Sequence, residues 1–178
     1  MHDEVKLRLL KGDIVSFEYL VTFYEKKIYC FIYNIVHNRS IAEDLTQDVF
    51  VKIYENIYKY NSEYPIEPWM FKICYNLTLN YLKKNKLEAI KLQNYVEPGD
   101  KFEEYITKCE TREIILKEIR SFKPDIRAIL QLRIIEDFSF EQIAEILNKS
   151  TASIKLKFYR SRKVLIKNLS EYFNEVKL

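Results

Sequence analysis

Three groups of side chains in this sequence carry residue types that could do chemistry, and in each the chemistry is binding rather than bond-making. Between positions 68 and 87, Trp69, Phe71, Tyr75 and Tyr81 are interleaved with Lys72, Lys83, Lys84 and Lys86, with no acid among them. Rings that stack on bases, beside lysines that hold a backbone, suit single-stranded nucleic acid. Asn76 lies among them, and an amide can read a base edge through two hydrogen bonds. Aromatics at helical spacing also serve simply as core. The second group, residues 146–170, holds Lys149, Lys155, Lys157, Arg160, Arg162, Lys163 and Lys167 and again no acid. Like charges one turn apart repel unless an anionic partner screens them, which points to DNA rather than to an ordinary solvated face. The third group is Asp44, Gln47, Asp48 and Lys52, on or beside one helix face, with Leu45 and Val49 turned inward. Negative charge near a helix start is favoured by the macrodipole. It also suits docking to a basic protein partner, and both readings stand at this point.

Residues that could make or break bonds are scarce. Cys30, Cys74 and Cys109 are far apart and form no CxxC pair, and His2 and His37 are the only imidazoles. No metal site, disulfide framework, nucleophile–base pair or phosphate-cradling loop is expected. The expectation is therefore a non-enzyme with no cofactor and no small-molecule substrate, its thiols reduced in the cytoplasm. The 178 residues include only two Gly and four Pro, too little punctuation for hairpins, and 48% hydrophobic with 31% charged residues fits a foldable chain. No apolar run approaches the ~18 residues of a membrane span, and the acidic start does not read as a signal peptide.

These binding groups need helices to position them. Apolar residues at 14, 17, 21, 24, 28, 31, 32 and 35 predict a helix over 13–36. Ser40 and Glu43 have capping-box spacing, predicting a second helix over 41–58 that buries Ile41 or Ala42, Leu45, Val49 and Ile53. Residues 61–67 read as a polar loop, and Pro68 suits the first turn of a third helix over 68–86. A short helix near 4–10 is also expected. Pro98-Gly99-Asp100 marks a flexible linker over 87–102. Helices follow over 103–121 and 125–135. Ser139 and Gln142 form a second capping-box pattern, opening a short helix to Leu147. A turn over 148–150 leads to a last helix reaching about Phe173. The fold class is all-α: two small helical domains, 1–86 and 103–178, joined by a linker.

The rear domain reads as a helix-turn-helix: a short helix, a three-residue turn and a longer basic helix. Ile143, Ala144 and Leu147 face inward on the first helix, and Ile154, Phe158, Ser161 and Leu165 on the second. Ser153, Lys155, Leu156, Tyr159, Arg160 and Lys163 are left on a face that can enter a major groove. Charge agrees: residues 111–178 carry fourteen bases and nine acids, against twelve and eleven in 1–86 and three and six in 87–110. A helix-turn-helix alone does not fix function. A regulator binding duplex operators without a polymerase is the alternative.

Taken together, the segments AEDLTQDVFVKIYENI, PWMFKICYNLTLNYLKK and EQIAEILNKSTASIKLKFYRSRKVL resemble, in this order, regions 2.2, 2.3–2.4 and 4.2 of the sigma-70 family of bacterial RNA polymerase initiation factors. The small two-domain layout is similar to the extracytoplasmic-function (ECF) group. The resemblance implies that Asp44, Leu45, Gln47, Asp48 and Phe50 bind the β′ clamp helices of core RNA polymerase, with the β flap a further contact. It implies that Asn61, Ser62, Trp69, Lys72, Asn76, Lys83 and Lys84 recognise the −10 element as single strand. It implies that Ser153, Lys155, Leu156, Lys157, Tyr159, Arg160 and Lys163 contact the −35 duplex. An anti-sigma factor, in some cases membrane-bound, is a further implied partner of this cytoplasmic, non-inserted protein. Three departures from the family pattern bear on specificity: Ala152-Ser153-Ile154 for Gly-Thr-Val, Leu156 for a small polar residue, and Asn80 for a common Asp.

Overall fold

The computed structural model describes residues 8–85 and 110–175, and among these every regular element is helical. The elements are α1 (Ile14–Val36), α2 (Arg39–Asn56), a 3-10 turn (Ile57–Lys59), α3 (Ile66–Lys84), α4 (Glu110–Ile119), α5 (Pro124–Ile134), α6 (Phe140–Leu147) and α7 (Thr151–Glu175). The expected linker over 87–102, the first turns of the helix expected from 103, and most of the helix expected at 4–10 lie outside the described residues.

The front core forms where α1, α2 and α3 each bury one stripe. Leu20, Tyr24, Ile28, Phe31, Ile32 and Ile35 come from α1; Ala42, Leu45, Val49, Phe50 and Ile53 from α2; and Ile66, Met70, Phe71 and Cys74 from α3. Of the other expected stripe positions, Phe17 and Val21 are half-buried against this core, whereas Ile14 is 63% exposed. The expected capping box at Ser40 does not form. Asn38 lies nearer the chain reversal and its side chain accepts from the Ile41 amide at 3.0 Å, while Glu43 is held by Arg39 at 2.8 Å. The helix therefore starts at Arg39. Pro68 sits in the first turn of α3, as expected, behind Pro65 at the cap.

The two halves pack against each other, with α5 on α1 and α6 on α3. The Phe71 ring meets Phe31 on one side and Phe138 on the other, each at 5.3 Å and near-perpendicular. The buried Asn34 amide donates to the Cys30 carbonyl and accepts from the Arg120 guanidinium at 2.9 Å. Arg127 donates to the Ile35 carbonyl at 2.9 Å, so a cation from α5 caps the negative C-terminal end of α1.

His37 ends α1 in the left-handed region, at φ 56°. Burial, with Arg127 and Arg120 nearby, pushes its pKa down from the usual 6.5 to about 4. The unfolded chain therefore takes up a proton near pH 6.5 that the folded chain refuses until about pH 4. This contribution to stability is complete above pH 6.5 and is lost as pH falls through that window. His37→Asn removes the titration and suits the left-handed backbone. Its melting temperature should fall less than that of the wild type between pH 7 and pH 5; parallel curves in a calorimetric pH series would count against a buried neutral His37.

Candidate nucleic-acid interface

The end of α2 and the 3-10 turn face the middle of α3 across a groove of about 300 Å³. Trp69, Ile73 and Leu77 form the apolar part of its lining, and Asn76 and Asn80 present two exposed amides one turn apart. The i, i+3 and i, i+4 spacing of these five residues is what puts them on one face of α3. Lys52, Asn56 and Lys59 line the opposite side. The α3 start is fixed by Tyr24, which donates to the Glu67 carboxylate. The Tyr60 ring lies 5.5 Å from Trp69, and its hydroxyl donates to the Tyr64 carbonyl, tying the loop to the indole. Apolar rings, amides with both donors and acceptors, and ammonium groups are together the chemistry that holds single-stranded bases.

Other residues expected for the −10 strand are arranged around the groove rather than in it. Lys72 does not line it; its ammonium lies 3.6 Å from Glu145 of α6, an exposed pair of small energetic weight. Asn61 accepts from the Glu63 amide in a local turn at 3.0 Å, and Ser62 is half-buried beside it. Lys83 and Lys84 are exposed in the last turn of α3.

In the rear half the second capping box is complete. The Ser139 hydroxyl accepts from the Gln142 amide at 3.1 Å, and the Gln142 side chain accepts from the Ser139 amide at 2.8 Å. Asn148 then ends α6 at φ 52°, Lys149 donates back to the Ala144 carbonyl, and Ser150 accepts from the Ser153 amide to open α7. Ile154, Phe158, Ser161 and Leu165 are buried as the periodicity predicts. Lys155, Leu156, Tyr159, Arg160 and Lys163 lie exposed on the outer face, with Ser153 half-buried at its edge. Phe140 packs edge-on against Phe158 and tilted against Tyr159, propping that face. Lys155 lies 5.7 Å from the Phe140 ring centroid and 3.4 Å from Glu141. Lys157 turns away and pairs with Asp125 of α5 at 2.7 Å, which ties α7 to the domain.

On α2, Asp44, Gln47 and Asp48 are exposed, and no cation among the described residues pairs with either aspartate. Leu45 and Phe50 lie in the core at 8% and 7% exposure, beneath this acidic face rather than on it.

The sequence reading missed Lys52 as a groove residue, and Asn56 and Lys59 altogether. Lys52 and Asn56 come from α2 and Lys59 from the 3-10 turn after it, and no periodicity within α3 could have assigned them.

Two family descriptions match the chain in order: Sigma-70 region 2 over residues 20–88, and Sigma-70, region 4 over residues 112–165. The groove falls within the first match and the outer face of α7 within the second. The chain is 28% identical over 173 residues to the ECF RNA polymerase sigma factor SigW of Bacillus subtilis (strain 168), covering 90% of this chain and 92% of SigW. It is 25% identical over 170 residues to the ECF RNA polymerase sigma-E factor of Escherichia coli (strain K12), covering 89% and 88% of the two chains. In fold it is similar to the sigma factor RpoE in complex with the anti-sigma factor NepR from Bartonella quintana, with a TM-score of 0.73 and 19% identity over 86% of this chain and 96% of that one. It is also similar to CnrH in complex with the cytosolic domain of CnrY, with a TM-score of 0.66 and 16% identity over 95% and 97%.

Proposed function

The chain belongs to the sigma-70 family, in its ECF group, and from that premise we propose that it binds core RNA polymerase and selects promoters by holding −35 duplex in its rear half and melted −10 strand in its front half. The division of labour is residues 1–86 for polymerase and the −10 strand, 87–102 as linker, and 103–178 for the −35 element. The observation that carries the reading is the groove, where amides, an apolar lining and lysines meet on the half matched by region 2. An operator-binding regulator has no use for such a groove, and the ordered match of both regions weighs against that alternative.

In mechanism, the exposed basic face of α7 enters the major groove, with Lys155, Arg160 and Lys163 reaching phosphates and Leu156 and Tyr159 meeting base edges. This anchors the promoter while a base of the −10 element leaves the stack at a cost of a few kcal/mol. Capture beside Asn76, with stacking on Trp69 at about 1–3 kcal/mol per base, offsets that cost. Melting and sequence recognition are thereby one step, and no bond is made or broken by this chain. The anti-sigma complexes of two proteins of similar fold support a protein antagonist for this one as well, acting in the cytoplasm. Among the described residues, no helix is long and apolar enough to cross a membrane.

Asn76→Ala tests the front half. Losing a two-bond base contact is worth about 1–3 kcal/mol, so open-complex formation with core polymerase should drop about 5- to 150-fold while binding to −35 duplex is kept. Promoter opening that is unchanged in a permanganate footprint would remove Asn76 from the reading.

A further inference from the structure

We propose that Lys59 is a phosphate clamp for the melted strand and that Asn56 is the residue that positions it. This rests on the reading of the groove as a single-strand site. The Lys59 ammonium lies 2.8 Å from Asn56 Oδ1 and 5.3 Å from the centroid of the Tyr58 ring, and no carboxylate among the described residues pairs with it. Asn56 is itself fixed, because its Nδ2 donates to the Lys52 carbonyl at 2.9 Å, which turns Oδ1 toward the lysine. Lys52, on the same side of the groove, differs: its ammonium is 2.6 Å from the Glu55 carboxylate, so its charge is met within the helix.

The contrast between the two lysines carries the argument. A neutral amide oxygen orients an ammonium without cancelling its charge, whereas a carboxylate would orient and neutralise it together. Position 56 carries the neutral group, and the cation it holds stays available to an anion from outside. That cation lines the side of the groove opposite Asn76 and Asn80. A nucleotide has a base at one end and a phosphate at the other, so amides on one wall and a free ammonium on the other match its two ends. The ammonium contributes as a point charge with no base preference.

The test uses the full-length chain and its Lys59 and Asn56 variants, each assembled with core RNA polymerase. Affinity for a labelled single-stranded −10 oligonucleotide is measured across roughly 50–200 mM salt. Each phosphate contact to a single strand contributes about −0.7 to the slope of log K against log salt. Lys59→Ala should make the slope shallower by about 0.7, and Lys59→Arg should retain it. Asn56→Asp keeps a hydrogen-bond acceptor but neutralises the lysine, so it should match Lys59→Ala. Slopes for −35 duplex should be the same in all of them. A wild-type slope in Lys59→Ala, or in Asn56→Asp, overturns the inference. If that slope persists while Asn76→Ala still loses the strand, only the clamp falls; if the wild-type assembly captures no single strand, the groove reading falls with it.

Discussion

Phe71→Ala should cost about 3–5 kcal/mol of folding stability, the range for removing a buried aromatic and leaving a cavity its neighbours cannot fill. The ring is 1% exposed and makes edge-to-face contact with Phe31 in its own half and Phe138 in the other. Its loss removes two aromatic pairs, each worth about 0.5–1.5 kcal/mol beyond area burial. Part of the cost falls between the halves, and this can be read separately. The chain has one tryptophan, Trp69, in the front half, so its fluorescence follows that half while far-ultraviolet circular dichroism follows both. In urea the two probes should coincide for the wild type, then separate in Phe71→Ala as the contact through Phe138 is lost. A midpoint change equivalent to less than about 1 kcal/mol would mean the ring is not packed between Phe31 and Phe138.

What the sequence made legible is local, and what it hid is long-range. The Ser139–Gln142 cap and the inner face of α7 depend on residues within one or two turns of each other, and both formed as expected. The Ser40–Glu43 pair has the same spacing, but each partner had a competitor nearby: Asn38, which caps the helix two residues earlier by accepting from the Ile41 amide, displaced Ser40 from the cap, and Arg39 holds the Glu43 carboxylate. The acids that meet Lys72 and Lys157 within the chain, Glu145 and Asp125, stand 73 and 32 positions away, so no local spacing announces either pair. The groove was half legible for the same reason. Its α3 side follows from i, i+4 spacing, whereas the Lys52–Lys59 side depends on how α2 crosses α3. The contact between the halves through Phe138 and Arg127 had no signal in the pattern at all, since a buried aromatic and an arginine announce no partner.

Exchanging Asp44 and Asp48 together for lysine should weaken binding to core polymerase at least about 100-fold while leaving the fold intact. The structure bears on which of the two readings of this acidic face is right. Because α2 starts at Arg39, it has no acid in its first turn, and the macrodipole acts within that turn. Asp44 and Asp48 lie beyond it, exposed and with no cation paired to them among the described residues, so helix stability gives no reason for two carboxylates there. The pair is also i, i+4 and mutually repulsive, a cost that suits a face kept for a basic partner. Lysine at both positions keeps the 44/48 repulsion and adds one with Lys52 a turn further on, worth a few tenths of a kcal/mol, so the stability change should still stay within about 0.5 kcal/mol per site. Against a basic surface, each reversal turns attraction into repulsion, and juxtaposed like charges cost several kcal/mol. Affinity for core polymerase should therefore fall by at least about 100-fold, or roughly 2.8 kcal/mol. Fluorescence titration of labelled chain with core polymerase reads this directly, and the −35 duplex binding proposed for α7, on the other half of the molecule, is the internal control. If the double variant binds polymerase as the wild type does, the acidic face is not the docking surface, and the partner must be sought elsewhere on the front half.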